Sequence, residues 1–326
     1  GFKVIVFDSF VNSSKKALLS VLKILKKTNP SFQKNLLVHK GDLRNKKSVE
    51  DLFKKYIESK KSIDCVIHLA GLKDVADSFS RPFEYWETNF IGSLNLLNVM
   101  DLYDCRRIVF SSSASVYDPN LKNLISEKCQ LEPNNPYGKT KLSVEYLISD
   151  ICENSKNWRS MILRYFNPIG AHCSGMIGEA SINNPCNIFP VILNVASGKI
   201  KYLNIYGDNW DTFDGTTVRD YLHVNDLALG HFQAMNYLFS ECDKNVNYLN
   251  LGLGYGTSII ELINTFEKVT SIKIPYIFKP RRIGDVAVRI ANPKLAQEII
   301  NWKPTKNIED MCFDGWRWKK NNPNGY

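Results

Sequence analysis

The sequence predicts an α/β fold: a doubly wound parallel sheet of Rossmann type, followed by a smaller C-terminal substrate-binding lobe. Three observations carry this. Short apolar runs alternate with amphipathic segments of helical period through the first half of the chain, as in strand–helix–strand units. The runs read as strands buried on both faces, which parallel sheets require. Asp8, Asp42, Gly71 and Ser113 each end such a run, and ligands of these sheets bind beyond the carboxyl ends of the strands.

The elements follow in order. Lys3 to Phe7 is a strand ending in Asp8, and Ala17 to Lys27 a helix. Asn35 to His39 is the next strand, ending in Gly41-Asp42, with a helix over Val49 to Lys60. Asp64 to Leu69 is a strand running into Ala70-Gly71, and Tyr85 to Leu102 a long helix. Arg107 to Phe110 is a strand leading into Ser111-Ser112-Ser113. Pro136 to Glu153 is a helix, with Asn135 as its cap and Pro136 in the first turn, where a missing N–H costs nothing. From about residue 167 the chain becomes richer in Asn, Gly and Pro. The expected division is therefore 1–166 for the nucleotide-binding domain and 167–326 for the lobe, some elements of which return to the sheet. Ser258 and Glu261 have capping-box spacing, and Asn292 to Ile300 reads as a short helix.

Composition bounds the function. A chain of 326 residues, 44% of them apolar, has room for one large or two moderate domains. The net charge of +9 comes mostly from scattered lysine pairs such as Lys15-Lys16 and Lys60-Lys61, which read as solvated helix faces rather than a nucleic-acid surface. A positive field suits an anionic small substrate. The 8 cysteines (Cys65, Cys105, Cys129, Cys152, Cys173, Cys186, Cys242 and Cys312) show no C-x-x-C spacing and read as reduced thiols. No metal site is expected. No apolar run reaches membrane-spanning length and no signal peptide is visible, so the cytoplasm is the expected compartment.

The chemistry starts at Tyr137 and Lys141. Four residues is one helical turn, so phenol and ammonium share a face. A phenol of pKa about 10 is a poor base, and a cation one turn away favours the phenolate. A serine hydroxyl from the strand end at Ser113 would share the substrate proton. This is the equipment for oxidising an alcohol with a nicotinamide cofactor. His68 and His223 lie in apolar strands and read as core histidines, Asp220 as structural, and Trp302, Trp316 and Trp318 as packing.

One expected motif is absent. A dinucleotide-binding sheet opens with a strand and a Gly-rich turn that directs backbone N–H groups at the pyrophosphate. That turn should precede the ribose-binding acid, here Asp8, by about 20 residues. The expectation is that strand and turn have been lost upstream of Gly1, because the first strand is central in this topology.

Several stretches jointly carry a resemblance: His68-Leu69-Ala70-Gly71-Leu72-Lys73, Ser111-Ser112-Ser113-Ala114-Ser115-Val116-Tyr117, Pro136-Tyr137-Gly138-Lys139-Thr140-Lys141, Arg164-Tyr165-Phe166-Asn167-Pro168-Ile169-Gly170-Ala171, Val218-Arg219-Asp220-Tyr221-Leu222-His223-Val224, and the tail Trp316-Arg317-Trp318 with Pro323-Asn324-Gly325-Tyr326. Over essentially its whole length the chain resembles the UDP-glucose 4-epimerase family, extended short-chain dehydrogenase/reductases.

The resemblance implies NAD as cofactor and a UDP-sugar as substrate. Tyr137 would be base and acid on the sugar 4-hydroxyl. Lys141 would hold the nicotinamide ribose and lower the Tyr137 pKa, and Ser113 would bond the same hydroxyl, with Ser115 near the sugar. Asp8, with Ser9 and Asn12, would meet the adenosine ribose and favour NAD over NADP. Asp42 and Leu43 would flank the adenine. Leu69, Ala70, Gly71, Lys73, Asn89 and Ser111 would contact the cofactor, and Tyr165 would line the nicotinamide. Asn167, Asn187, Ile188, Asn204, Tyr206, Arg219, Arg282 and Asp285 would hold the UDP-sugar, the arginines on the diphosphate. A homodimer built on the helices Tyr85–Leu102 and Pro136–Glu153 is implied too. Leu69 replaces an aromatic that the family often carries beside the nicotinamide. Arg289 stands where the family gates sugar-pocket size, and its bulk predicts poor acceptance of 2-acetamido sugars.

Two other readings are weighed. A nucleotide-sugar 4,6-dehydratase or decarboxylase needs an acid beside the catalytic serine, and Ser113-Ala114-Ser115 offers none. A truncated product that binds nucleotide or a partner without turnover is the reading from outside enzymology, and its support is the absent first strand.

Overall fold

The computed structural model describes residues 2–121, 124–180, 187–240, 244–282 and 284–326. The chain opens with β1 (Val4–Asp8), α1 (Lys15–Thr28), β2 (Leu36–Lys40), α2 (Lys46–Glu58) and β3 (Val66–His68). Ser14 and Asn45 cap the two helices through their side-chain oxygens. Next come α3 (Val75–Ser80), α4 (Pro82–Tyr85), a π-helical stretch at Trp86–Ile91, and α5 (Gly92–Leu102). The single helix expected from Tyr85 is thus interrupted. Asn89, inside the π turn, bonds Leu72 in both directions, and such turns commonly mark functional sites.

β4 (Arg107–Ser113) runs three residues past the apolar stretch, because Ser111 to Ser113 continue the ladder opposite Leu163, Arg164 and Tyr165. Then follow α6 (Pro136–Asn154), β5 (Arg159–Tyr165) and β6 (Asn167–Ile169). The remaining elements are α7 (Ile188–Ala196), β7 (Leu203–Tyr206), β8 (Val218–Arg219), β9 (Tyr221–His223), α8 (Val224–Leu238), β10 (Val246–Leu251), β11 (Thr257–Ser258), α9 (Ile259–Thr270), β12 (Tyr276–Lys279), β13 (Val288–Arg289), α10 (Lys294–Ile300) and α11 (Ile308–Asn321). Both bonds of the Ser258–Glu261 capping box form. The helix expected from Asn292 begins at Lys294, after Pro293.

The largest sheet is parallel, in the order β10-β5-β4-β3, so an element from the second half of the chain extends it. β1 and β2 form a separate parallel pair. Among the described residues β1 and β3 each have one unpaired edge. Apolar side chains there stay open, with Val4 49%, Ile67 39% and Leu69 60% exposed. The two parts are still joined. Phe7 packs on the core of α2, α5 and β4, and the Phe2 ring meets Phe232 of α8 edge-on at 6.1 Å.

Alternate residues of β4 feed two core layers. Ile108 and Phe110 pack with Leu97, Met100, Val144, Ile148 and Ile162 under α5 and α6. Val109 packs with Met161, Leu163 and Leu249 under α8 and α10. A third cluster joins α7, α9 and α11 through Phe189, Ile192, Leu262, Phe266 and Met311. Each such side chain buried contributes about 1.5–3 kcal/mol. Trp302 donates its indole N–H to Asp226 O at 2.8 Å, and Trp316 and Trp318 pack against neighbouring rings.

The histidines behave as core residues. His68 bonds Ser93 at 2.7 Å, and burial drops its pKa to about 3. His223 accepts from Asn225 N at the start of α8. The six cysteines among the described residues are free thiols; Cys186 and Cys242 lie outside them. Among the described residues no helix is long and apolar enough to cross a membrane, and no cluster of acidic, His and Cys side chains could hold a metal.

Candidate active site

The end of β4 and the start of α6 meet at one place. Asn135 accepts from Gly138 N at 2.8 Å and so aims the first turn of α6, which carries Tyr137, at the serines. The Ser113 hydroxyl faces the Tyr137 phenol closely enough to favour its ionised form. One turn on, Lys141 Nζ donates to Ser111 O at 2.8 Å and lies 6.0 Å from the Tyr137 ring centroid. Ser111 Oγ bonds the Tyr165 hydroxyl from β5. Ser113 Oγ also accepts from Ser115 N at 3.1 Å, which shapes the turn after the strand. Tyr137, Lys141 and Ser113 are all buried.

Burial dominates the electrostatics of this pair. Burial pushes the Tyr137 phenol well up, Tyr165 adds to the shift, and the Ser113 hydroxyl pulls it down. Burial also lowers the Lys141 ammonium to about 8, with Glu145 opposing. Lys141 Nζ is held on the Ser111 carbonyl, one turn from the phenol.

The positions expected to meet a dinucleotide line the strand ends. Asp8 Oδ1 accepts from Phe10 N at 2.7 Å and Ser13 Oγ at 2.9 Å, while Oδ2 has no partner among the described residues. Ser9 and Asn12, expected with Asp8 at the ribose, lie in the same turn after β1. The Asp42 carboxylate is held by Arg44, whose hydrogen bond keeps its pKa below the usual value, and Leu43 packs beside Gly92. After β3, Leu69 and Ala70 are exposed and lead to Gly71, where a Cβ would stand 2.9 Å from Asn89 Oδ1 and 3.6 Å from Lys141 Nζ. Asn89 bonds Leu72 N and O and Thr140 Oγ1, so it braces this loop against α6. Lys73 pairs with Glu179 at 2.7 Å, joining the loop to the second lobe.

A second cluster lies in that lobe. In β8 and β13, Arg219 and Arg289 are register partners. Arg219 Nη2 stands 3.9 Å from Asp285, and Arg282 Nε is 3.4 Å from the same carboxylate. The Arg282 guanidinium stacks 4.1 Å over the Tyr206 ring. Burial lowers the pKa of Arg219, with Asp285 opposing. Arg289 reaches back to the first cluster, donating to Ala114 O at 2.5 Å and Asp118 O at 3.3 Å. Burial and the neighbouring Arg219 lower it to about 10. A cavity of about 560 Å³ adjoins Tyr206 and Arg282, lined by Gly207, Asn209, Phe278 and Arg281 among others.

The remaining expected residues are placed less closely. Asn204 is exposed on β7, and Asn167 begins β6, where its N–H donates to Asp220 O. Asn187 precedes α7 without a side-chain capping bond, and Ile188 is its first residue. Asp220 takes three backbone N–H groups, from Leu253, Gly254 and Ala291, and is structural as expected.

Sequence reasoning missed a buried ion pair at the site. Glu145 and Arg164 form a buried ion pair directly behind the serines, and Ser112 donates to the same carboxylate. A lone arginine inside the apolar run Met161–Tyr165, and a carboxylate one turn past Lys141, were the available signals.

Comparisons with known proteins agree with this geometry. A family profile described as GDP-mannose 4,6 dehydratase matches residues 1–314. The chain is 42% identical over 326 residues to UDP-glucose 4-epimerase 2 of Oryza sativa subsp. japonica, covering all of this chain and 78% of the relative. It is 42% identical over 327 residues to the bifunctional UDP-glucose 4-epimerase and UDP-xylose 4-epimerase 3 of Arabidopsis thaliana, covering 91% of that protein. Among solved structures, UDP-glucose 4-epimerase from Bifidobacterium longum in complex with NAD+ and UDP superposes with a TM-score of 0.91 at 39% identity, covering 100% of this chain and 93% of that one. With this similarity running from end to end, and with no carboxylate beside Ser113 to serve a dehydratase, the chain belongs to the UDP-glucose 4-epimerase family of extended short-chain dehydrogenase/reductases.

Proposed function

We propose that this chain interconverts UDP-galactose and UDP-glucose through a 4-keto sugar, with NAD as a cofactor that stays bound. The observation that carries the reading is the buried Ser113–Tyr137–Lys141 constellation at the carboxyl end of the sheet.

The chain's residues fit the two ends of NAD. The unpartnered Asp8 oxygen suits a ribose diol. The bare backbone of Gly71, where a Cβ would press on Asn89, lies near Lys141 and suits close approach of the nicotinamide end. No Gly-rich turn among the described residues serves the pyrophosphate. When bound, NAD supplies a hydride acceptor and donor at sugar carbon C4 and a positively charged ring near the phenol.

The protein's own groups do the rest. Tyr137 takes the 4-hydroxyl proton, assisted by Ser113, and later returns it. Lys141 would hold the cofactor ribose. Arg219, Arg282 and Arg289 against Asp285 leave two positive charges, which match a diphosphate. Held by that link, the 4-keto sugar turns over before the alcohol is restored with inverted configuration. Arg289 beside the Ala114 turn supports exclusion of 2-acetamido sugars. Exposed Phe83, Ile91 and Tyr146 around α5 and α6 support a homodimer on that face, and the free thiols support a reducing, cytoplasmic setting.

The test is conversion of UDP-galactose to UDP-glucose by this chain with added NAD, beside Tyr137→Phe. Turnover that the substitution reduces about 10²–10⁴-fold upholds the reading. Turnover unaffected by Tyr137→Phe, or none under any condition, sinks it and favours a non-catalytic nucleotide-binding product.

A further inference from the structure

β8 and β13 lie side by side in register, with Arg219 opposite Arg289. Val218 N donates to Ala287 O at 2.8 Å and Asp220 N to Arg289 O at 3.1 Å, so the two short strands form one unit. Their arginines then diverge. Arg219 faces Asp285, the carboxylate it shares with Arg282, and its Nη1 donates to Ala287 O at 3.4 Å. The Arg289 side chain crosses instead to the first half of the chain. There Nη1 donates to Ala114 O at 2.5 Å and Nη2 to Asp118 O at 3.3 Å. Ala114 follows Ser113 and opens the short helical turn Ala114–Val116, which the Ser113 hydroxyl caps by accepting from Ser115 N. One planar guanidinium therefore spans the turn that leaves the carboxyl end of β4.

Joining the two halves of the chain does not require this side chain. The backbone does so close by: Ile125 N donates to Ile290 O at 2.9 Å, and Asn292 N to Ile125 O at 2.8 Å. Nor does Arg289 make an ion pair across the gap. Both of its acceptors are main-chain oxygens, and the Asp118 carboxylate accepts from Asn120. A half-buried guanidinium placed beside a second one is an expensive brace if holding a loop were its whole role. What it supplies beyond the backbone bridge is a fixed fork between the strand of Arg219 and the residue next to Ser113. Arg219 and Arg282 face a single carboxylate, and a diphosphate would add bidentate acceptors that fix both. We propose that Arg289 is a positioning residue of the reaction: it ties the Ser113 turn to the strand that carries Arg219, so that a diphosphate held by the arginines settles the turn against Tyr137. Binding energy from a remote part of the substrate is then realised at the reacting end. The catalytic consequence rests on the epimerase reading above.

UDP is the probe, because it carries the diphosphate and no sugar that could touch the turn itself. The test compares the full chain with Arg289→Met, Arg289→Gln and Arg289→Lys, after thermal unfolding has established folding. Calorimetry reads UDP binding, and hydrogen exchange reads the backbone amides of residues 113–118 with and without saturating UDP. Turnover of UDP-galactose with NAD gives kcat and KM. In the wild type, UDP is expected to slow exchange in the turn severalfold. In the Met and Gln variants that protection is expected to vanish and kcat to fall about tenfold or more, with UDP still bound within about threefold of wild type. Arg289→Lys keeps the charge without the fork and is expected to behave like Arg289→Met. Protection that survives in the variants overturns the proposal, as does its absence from a wild type that binds UDP. A loss confined to UDP affinity also overturns it and leaves Arg289 as one more diphosphate ligand. Failure of all three variants to fold assigns the side chain to structure alone and overturns it equally. A wild type that binds UDP and shows the protection, yet turns nothing over, defeats the epimerase reading while the link stands. A wild type that binds no UDP overturns both.

Discussion

Replacing Gly138 by alanine probes how tightly the serine turn is seated against α6. Gly138 follows Tyr137, and its N–H is capped by Asn135. In an ordinary helix the change would stabilise by about 0.5–1 kcal/mol. Here a Cβ would stand 2.4 Å from Ser115 O and 2.8 Å from Pro133 Cβ, whereas ordinary contact begins at 3.4 Å. The backbone of the turn must therefore retreat by about 1 Å, carrying Ser113 from the phenol. A displacement of that size costs on the order of a hundredfold in rate, or about 2.7 kcal/mol of barrier. The assay is UDP-galactose conversion with NAD, read as kcat and KM, beside thermal unfolding. We expect kcat to fall about a hundredfold, KM to rise by less because only Arg289 of the arginine cluster touches this turn, and no gain in stability. A kcat within about threefold of wild type together with a gain of roughly 0.5–1 kcal/mol would refute the reasoning, since the turn could then yield without disturbing Tyr137.

The other predictions concern the cofactor, the substrate and the lobe. Arg219→Met removes a charged hydrogen-bond donor of the diphosphate cluster and should weaken UDP binding about tenfold or more in calorimetry, leaving the fold intact. Asp8→Ser removes the carboxylate at the end of β1 and should narrow any preference for NAD over NADP, measured as the ratio of dissociation constants. Asp220→Ala orphans three backbone N–H groups at about 1–3 kcal/mol each, and chemical denaturation should record several kcal/mol of lost stability. Burial raises the folded-state pKa of Asp220 to about 6 from 3.8, so between those values the folded chain keeps a proton that the unfolded chain has lost. Its contribution to stability therefore falls as pH rises from about 4 to about 6, and Asp220→Asn should flatten that slope.

The strand–helix alternation, the caps at Asn135 and Ser258, and the Tyr137–Lys141 spacing were legible in the sequence because each is a local pattern, set by residues within a turn or two. The family resemblance extended that reading to Arg219, Arg282 and Asp285, whose meeting in space no spacing could announce. The sequence did not disclose the π turn at Asn89, since it arises from a side chain reaching a loop seventeen residues away. Nor did it disclose that Lys141 points at Ser111, that Glu145 and Arg164 pair behind it, or that Arg289 braces the Ala114 turn. Those meetings depend on strand register and on how deeply α6 sits against β4 and β5. Such quantities are set by packing over the whole core, and the same packing excludes the water that would otherwise weaken every charge in the site.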